Sequence, residues 1–333
     1  MSTPDESFAA AGVDSATADN GYRAGGRMLT LLATPLNLLV LRALVDRPMR
    51  LAELRRATGL PAQTTLRGHL GGLEEVGAVA KKPAQQMPYA VENELTPMGR
   101  DLLMVADALE VWLARASDRP IALESGAAKG IVKAFVDGWN STMVRCLALR
   151  PMSLTELDRA IGDLSYPALE RRLSSMRMAS LAEAAPAIGA GTPYVMTEWG
   201  RRGVAPLALA THCERIHMGS RAAPVTQLDI EAAFLLASPL AGLPDDVSGS
   251  CQLEVEASPR ELRDHSGVRI EVERGKVVAC ECALEEDRGS YAVGTTNKWF
   301  TAIKEGTLEE LRFGGSRLAE NFVRGLHVGI TKG

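Results

Sequence analysis

The chain has 333 residues, 46% of them apolar and 23% charged, which is enough for two ordinary domains or three small ones, each with its own core. Five cysteines make no disulfide framework, the acidic start MSTPDESFAAAGVDSATADN has no basic-then-apolar leader, and no apolar run is long enough to span a bilayer. The expectation is therefore a cytoplasmic, membrane-free protein with reduced thiols. The net charge of −4 is unevenly spread: Ala223–Gly333 holds 12 bases and 18 acids, Met1–Tyr22 four acids and no base, and Arg23–Ala222 25 bases and 19 acids. A basic middle between acidic ends is the asymmetry expected if only the middle meets phosphate.

In chain order, residues 1 to about 20 lack periodicity and read as a disordered tail. Arg27 to Leu44 predicts a buried helix with Pro35 at a start or kink, and Leu51 to Ala57 a short helix with Leu51 and Leu54 on one face. Gly59-Leu60-Pro61 predicts a turn, and Ala62 to Val76 a third helix that buries Leu66, Leu70 and Leu73 and stops at Gly77. Val79 to Leu95 predicts a β-hairpin carrying Lys81 and Lys82. Thr96 then caps a long helix with Pro97 in its first turn, running to about Ala116 over Leu102, Leu103, Val105, Leu109 and Trp112.

This order then returns. LRALVDRPMRLAELRRATGLPAQTTLRGHL, from Leu41, aligns without a gap on VRCLALRPMSLTELDRAIGDLSYPALERRL, from Val144, at an offset of 103. Arg47-Pro48-Met49 matches Arg150-Pro151-Met152, Glu53-Leu54 matches Glu156-Leu157, and Leu66 and Leu70 match Leu169 and Leu173. So many matches imply an internal duplication. The second copy begins with a helix through Phe135, Trp139, Met143 and Leu147, has its helix-turn-helix over Leu154 to Met178, and starts its closing helix at Thr197. From Ala223 the pattern predicts strands, SCQLEVE, VRIEVERG and KVVACECAL, followed by helices at Asn297–Glu305 and Ser316–His327. The expected fold class is α+β: a tail 1-20, winged helix-turn-helix units at 21-117 and 127-220, and a third unit at 223-333.

The second helix of a helix-turn-helix enters the major groove with its outer face. In the first copy that face offers Gln63, Thr64 and Arg67, residue types that read bases and phosphates, and the Lys81-Lys82 wing would reach a flanking phosphate. The second copy offers Arg171 and Arg172 beside an unfavourable Glu170, and its wing, Ala179 to Met196, has no Lys or Arg. Gly68, Gly71 and Gly72 each weaken the first recognition helix by roughly 1 kcal/mol relative to Ala.

Through LRALVDRPMRLAELRRATGL, TTLRGHLGGLEEVGAV and the wing followed by ELTPMGRDLL, the first copy resembles the HxlR family of bacterial winged-helix regulators, which is close to the MarR type. The resemblance implies operator DNA as partner, usually met by a homodimer. With two copies in one chain it implies a monomer acting as a pseudo-dimer, or a homodimer. VRIEVERGKVVACECALEEDRGSYAVGTTNKWFTAIKEGTLEELRFGGSRLAENFVRGL resembles the SCP2-like sterol carrier domain, a five-stranded sheet with helices around an apolar cavity. That resemblance implies a hydrophobic small molecule as ligand, with Trp299, Phe300, Ile303, Phe313 and Phe322 as wall residues, although any single one of them is more often plain core.

Cys280 and Cys282 share a strand face without a second pair at metal spacing, and His212, Cys213 and His217 lack the spacing for a shared ion. No catalytic grouping or phosphate loop appears. No enzyme activity, metal or cofactor is expected. The leading expectation is a ligand-responsive, DNA-binding transcriptional regulator, and the alternative is a small-molecule binding or sequestering protein whose winged-helix repeats no longer bind DNA.

Overall fold

A computed structural model of the chain describes residues 23–84, 87–116, 119–186, 191–257 and 265–331. The tail expected at 1-20 lies outside the described residues. The chain is α+β and its described residues divide into two compact units: one lies within Tyr22–Val136 with Pro206–Ala223, the other within Asp137–Ala205 with Pro224–Gly333. This division crosses the expected segments 127-220 and 223-333, because a stretch of the second copy packs into each unit.

In the first copy, Pro35 starts a new helix rather than kinking one, giving α1 (Gly26–Leu32) and α2 (Pro35–Ala43). The helix-turn-helix is α3 (Leu51–Ala57) and α4 (Gln63–Glu75), and Leu54, Leu66, Leu70 and Leu73 are buried as the periodicity requires. Strands β1 (Val79–Ala84) and β2 (Met87–Leu95) form the antiparallel wing, pairing Val79 with Leu95 and Lys81 with Asn93. Helix α5 (Pro97–Ala114) follows; Leu102, Val105, Leu109 and Trp112 are buried, while Leu103 is only half-buried.

The second copy splits its leading helix into α6 (Gly126–Asn140) and α7 (Met143–Leu149), the break lying where Thr142 takes a left-handed φ of 61°. Strand β3 (Met152–Ser153), α8 (Leu154–Ala160) and α9 (Tyr166–Met178) come next, the two helices starting and stopping 103 residues after α3 and α4. Strands β4 (Ala182–Ala184) and β5 (Pro193–Met196) complete a three-stranded wing of order β3-β5-β4. The closing helix is divided at Gly203 into α10 (Glu198–Arg202) and α11 (Val204–Met218).

Two clamps recur in both copies. Glu53 accepts from the backbone N–H of Arg50 at 2.8 Å and from the Arg47 guanidinium at 3.2 Å; Glu156 accepts from the N–H of Ser153 at 2.7 Å and from Arg150 at 2.8 Å. Thr96 caps α5 by accepting from Gly99 N–H at 3.1 Å while donating to Gly77 O; Thr197 accepts from Gly200 N–H at 2.9 Å and donates to Ser180 O. A Cβ on Gly99 would lie 2.3 Å from Ala78 O, and one on Gly200 2.5 Å from Leu181 O, so both sites require glycine. These clamps hold the start of the helix-turn-helix and the end of the recognition helix alike in each copy.

In the first unit, leading and closing helices of opposite copies meet. Glu214 of α11 accepts from the N–H of Gly25 at 2.9 Å and of Met28 at 3.4 Å, at the start of α1. Phe135 of α6 packs on Trp112 of α5 with ring centroids 5.5 Å apart.

The second unit contains an element that the strand pattern missed, helix α12 (Gln227–Ala237). A strand reading after Ala223 fails here because Thr226 and Asp229 form a capping box that starts a helix. Nine of the eleven residues of α12 are buried. Its carboxylates are paired: Asp229 accepts from Trp139 Nε1 at 3.1 Å, and Glu231 accepts from Arg145 Nε at 2.8 Å. The other side of α12 lies on a five-stranded sheet of β6 (Gly249–Glu256), β7 (His265–Glu273), β8 (Lys276–Glu281), β9 (Ser290–Thr295) and β10 (Arg312–Gly314), in the order β10-β9-β6-β7-β8, with β6 and β9 parallel. Helices α13 (Thr296–Glu305) and α14 (Leu318–Thr331) pack on the sheet beside it.

Candidate nucleic-acid interface

Three turns of α4 set the site. Leu66, Leu70 and Leu73 bury one face, so Gln63, Thr64, Thr65, Arg67 and Gly68 stand on the other, exposed. The turn into the helix is tight. Gly59 and Leu60 both have positive φ, 84° and 58°, and the Leu60 side chain remains 60% exposed at the helix mouth. Arg67 makes no hydrogen bond or ion pair with any described residue, so its guanidinium is free to donate outward.

The wing lysines stand differently. Lys81 Nζ lies 2.8 Å from Glu74 on α4, and Lys82 Nζ 2.8 Å from Glu94 on the neighbouring strand. Exposed pairs of this kind contribute about 0–1 kcal/mol and are readily broken. They nevertheless cancel the positive field of the wing, and a phosphate approaching either lysine must displace a carboxylate that stays nearby.

On α9, Leu169, Leu173 and Met176 are buried, Arg171 is exposed and Arg172 is half-buried. Glu170 is exposed between Leu169 and Arg171, as its spacing predicts. Arg177 sits over the Tyr194 ring of β5, 4.8 Å from its centroid, so here helix and wing are joined by a cation–π contact where the first copy has Glu74 and Lys81. The tyrosine in TPYVM was a visible partner for that arginine that sequence reasoning did not use.

The residues named for a ligand lie apart from these surfaces. Trp299, Ile303 and Phe322 are buried; the Trp299 ring meets Phe234 edge-on at 4.7 Å, and its N–H donates to Glu254 O at 2.6 Å. Phe300 and Phe313 are half-buried. Cys280 and Cys282 are half-buried free thiols, and burial raises the Cys280 pKa to about 11. Among the described residues no group of His, Cys, Asp and Glu could hold a metal ion, and no helix is long and apolar enough to cross a membrane.

A helix-turn-helix, a paired β-wing and a long closing helix, with the second helix of the motif bared on its outer face, define the winged-helix fold. Residues 31–120 match the family model of the HxlR-like helix-turn-helix, a span that runs from within α1 to just past α5. No curated protein matches the chain.

Proposed function

We propose that the chain is a ligand-responsive transcriptional regulator in which two winged-helix copies, derived by duplication, bind operator DNA as an intrachain pseudo-dimer. The observation that carries the DNA reading is the outer face of α4, with an unpaired Arg67 beside Gln63 and Thr64, inside the span that matches the HxlR-like model. The 103-residue offset between α3–α4 and α8–α9, and the two recurring clamps, support duplication. The pseudo-dimer is supported by the contacts of α1 with α11 and of α5 with α6, in which each copy's leading helix meets the other copy's closing helix.

The sheet of the second unit is the sensing part in this reading, for an apolar molecule of the kind its SCP2-like sequence implies. Its ligand would first reach Phe300 and Phe313, and α12, which touches both the sheet and α7, would couple the site to the second copy. A second reading, a sequestering protein without DNA binding, draws support from the neutralised Lys81 and Lys82 and from the exposed Glu170.

Mobility-shift titrations of the full chain with duplex DNA at several salt concentrations separate the two. The regulator requires binding that weakens as salt rises and whose sequence preference relaxes in Arg67→Ala. Absence of a shift even at about 50 mM salt leaves the sequestering reading in place. Mass spectrometry of copurifying small molecules tests the sensing part, which fails if no apolar compound accompanies the protein or perturbs its tryptophan fluorescence.

A further inference from the structure

Helices α4 and α9 have the same length and the same buried face: Leu66, Leu70 and Leu73 in one, Leu169, Leu173 and Met176 in the other. The same clamps hold both ends of each motif, so a given outer position projects from the same place in both copies. What projects there differs in kind. Arg67 corresponds to Glu170, Gly68 to Arg171 and Gln63 to Tyr166, and all six are exposed. Neither Arg67 nor Glu170 has a hydrogen-bond or ion-pair partner among the described residues, so each presents its full charge outward.

Base chemistry gives these two charges different preferred partners. An arginine donates twice to O6 and N7 of guanine, whereas a carboxylate accepts from the N4 amino group of cytosine. An inverted repeat presents the same base pair in the same orientation at equivalent positions, so where guanine stands nearest Arg67, Glu170 would have to reach past the guanine acceptors to the cytosine amino group of that pair. On the DNA-binding reading above, we propose that the chain recognises a duplex with two unlike half-sites: guanine where Arg67 reads, and cytosine at the equivalent position of the half read by α9. Arg171 adds a base contact in the second half at a position where Gly68 can make none in the first.

The test is selection of the full chain on a random duplex pool, repeated with Arg67→Ala, Glu170→Gln and the exchange variant Arg67→Glu with Glu170→Arg. These are exposed positions, and circular dichroism would check that each variant remains folded. The wild type should enrich a site with guanine in one half and cytosine at the equivalent position of the other, each preferred by about 5- to 150-fold. Arg67→Ala should flatten only the guanine preference and Glu170→Gln only the cytosine preference, while the exchange variant should swap the two. Enrichment of a symmetric inverted repeat, or of one half-site indifferent to Glu170→Gln, overturns the inference and leaves the DNA-binding reading intact. Enrichment of nothing, with no binding at low salt, overturns that reading and this inference with it.

Discussion

Removing one side of the Arg145–Glu231 pair should be among the most damaging single changes in the second unit. The Glu231 side chain is 2% exposed and that of Arg145 12%, and the carboxylate takes two contacts from the guanidinium. Breaking a buried pair strands a charge in low dielectric and costs about 3–5 kcal/mol, a large part of the ~5–15 kcal/mol that holds a typical domain folded. Replacing both partners by apolar side chains removes the charge together with its partner, and the net change should then be small or even stabilising. Urea titrations followed by tryptophan emission suit the test, because Trp139 donates to Asp229, two residues from Glu231. Glu231→Ala and Arg145→Met should each lower the unfolding free energy by about 3–5 kcal/mol, and Arg145→Met with Glu231→Leu should recover most of it. A loss below about 1 kcal/mol for Glu231→Ala would mean that the pair behaves as a solvated one. A double variant as unstable as the sum of the singles would mean that shape, not charge, sets the cost.

Other consequences follow from single positions. Gly99→Ala drives a Cβ to 2.3 Å from Ala78 O and should cost about 1–3 kcal/mol, whereas Gly71→Ala, with open space around it, should gain about 0.5–1 kcal/mol, both read from thermal melts. The Ser153 N–H, aided by Arg150, lowers the Glu156 pKa from 4.5 to about 2. Its stabilisation is therefore present above pH 4.5 and lost as pH falls toward 2, and Glu156→Gln should make melting temperature less steep across that window. The effect will be small and salt-sensitive because the side chain is 37% exposed. Trp299→Ala should cost about 3–5 kcal/mol of stability in denaturant titrations, and a loss under about 1 kcal/mol would contradict its packing against Phe234.

Much of this architecture is written in local pattern. Leucines at helical spacing located α3 and α4 to within a residue, and the repeat placed the outer ends of α8 and α9, because each is a short amphipathic helix between glycine or proline turns. Helix α12 escaped because it is buried nearly all round: with apolar residues on every face, QLDIEAAFLLA carries no amphipathic period, and only the Thr226 capping box marks it. The outer face of α4 was equally legible, since it is what remains once the leucines are buried. The ion pairs that engage Lys81 and Lys82 were not, because they depend on how helix and wing are placed in space. Nor could spacing along the chain reveal that Glu214 closes the start of α1, nearly two hundred residues earlier.

That last contact bears on synthesis. The unit that begins first is discontinuous, needing 206–223 as well as 22–136, so a nascent chain must lengthen by another seventy residues before α11 can reach α1. At about 5–20 residues per second this leaves roughly 4–14 s during which the apolar side of α1 awaits its final neighbour. A fragment ending near residue 120, where the HxlR-like match stops, would never receive that neighbour. It should emerge from the ribosome as a sticky, chaperone-dependent species, although it contains an entire helix-turn-helix and wing.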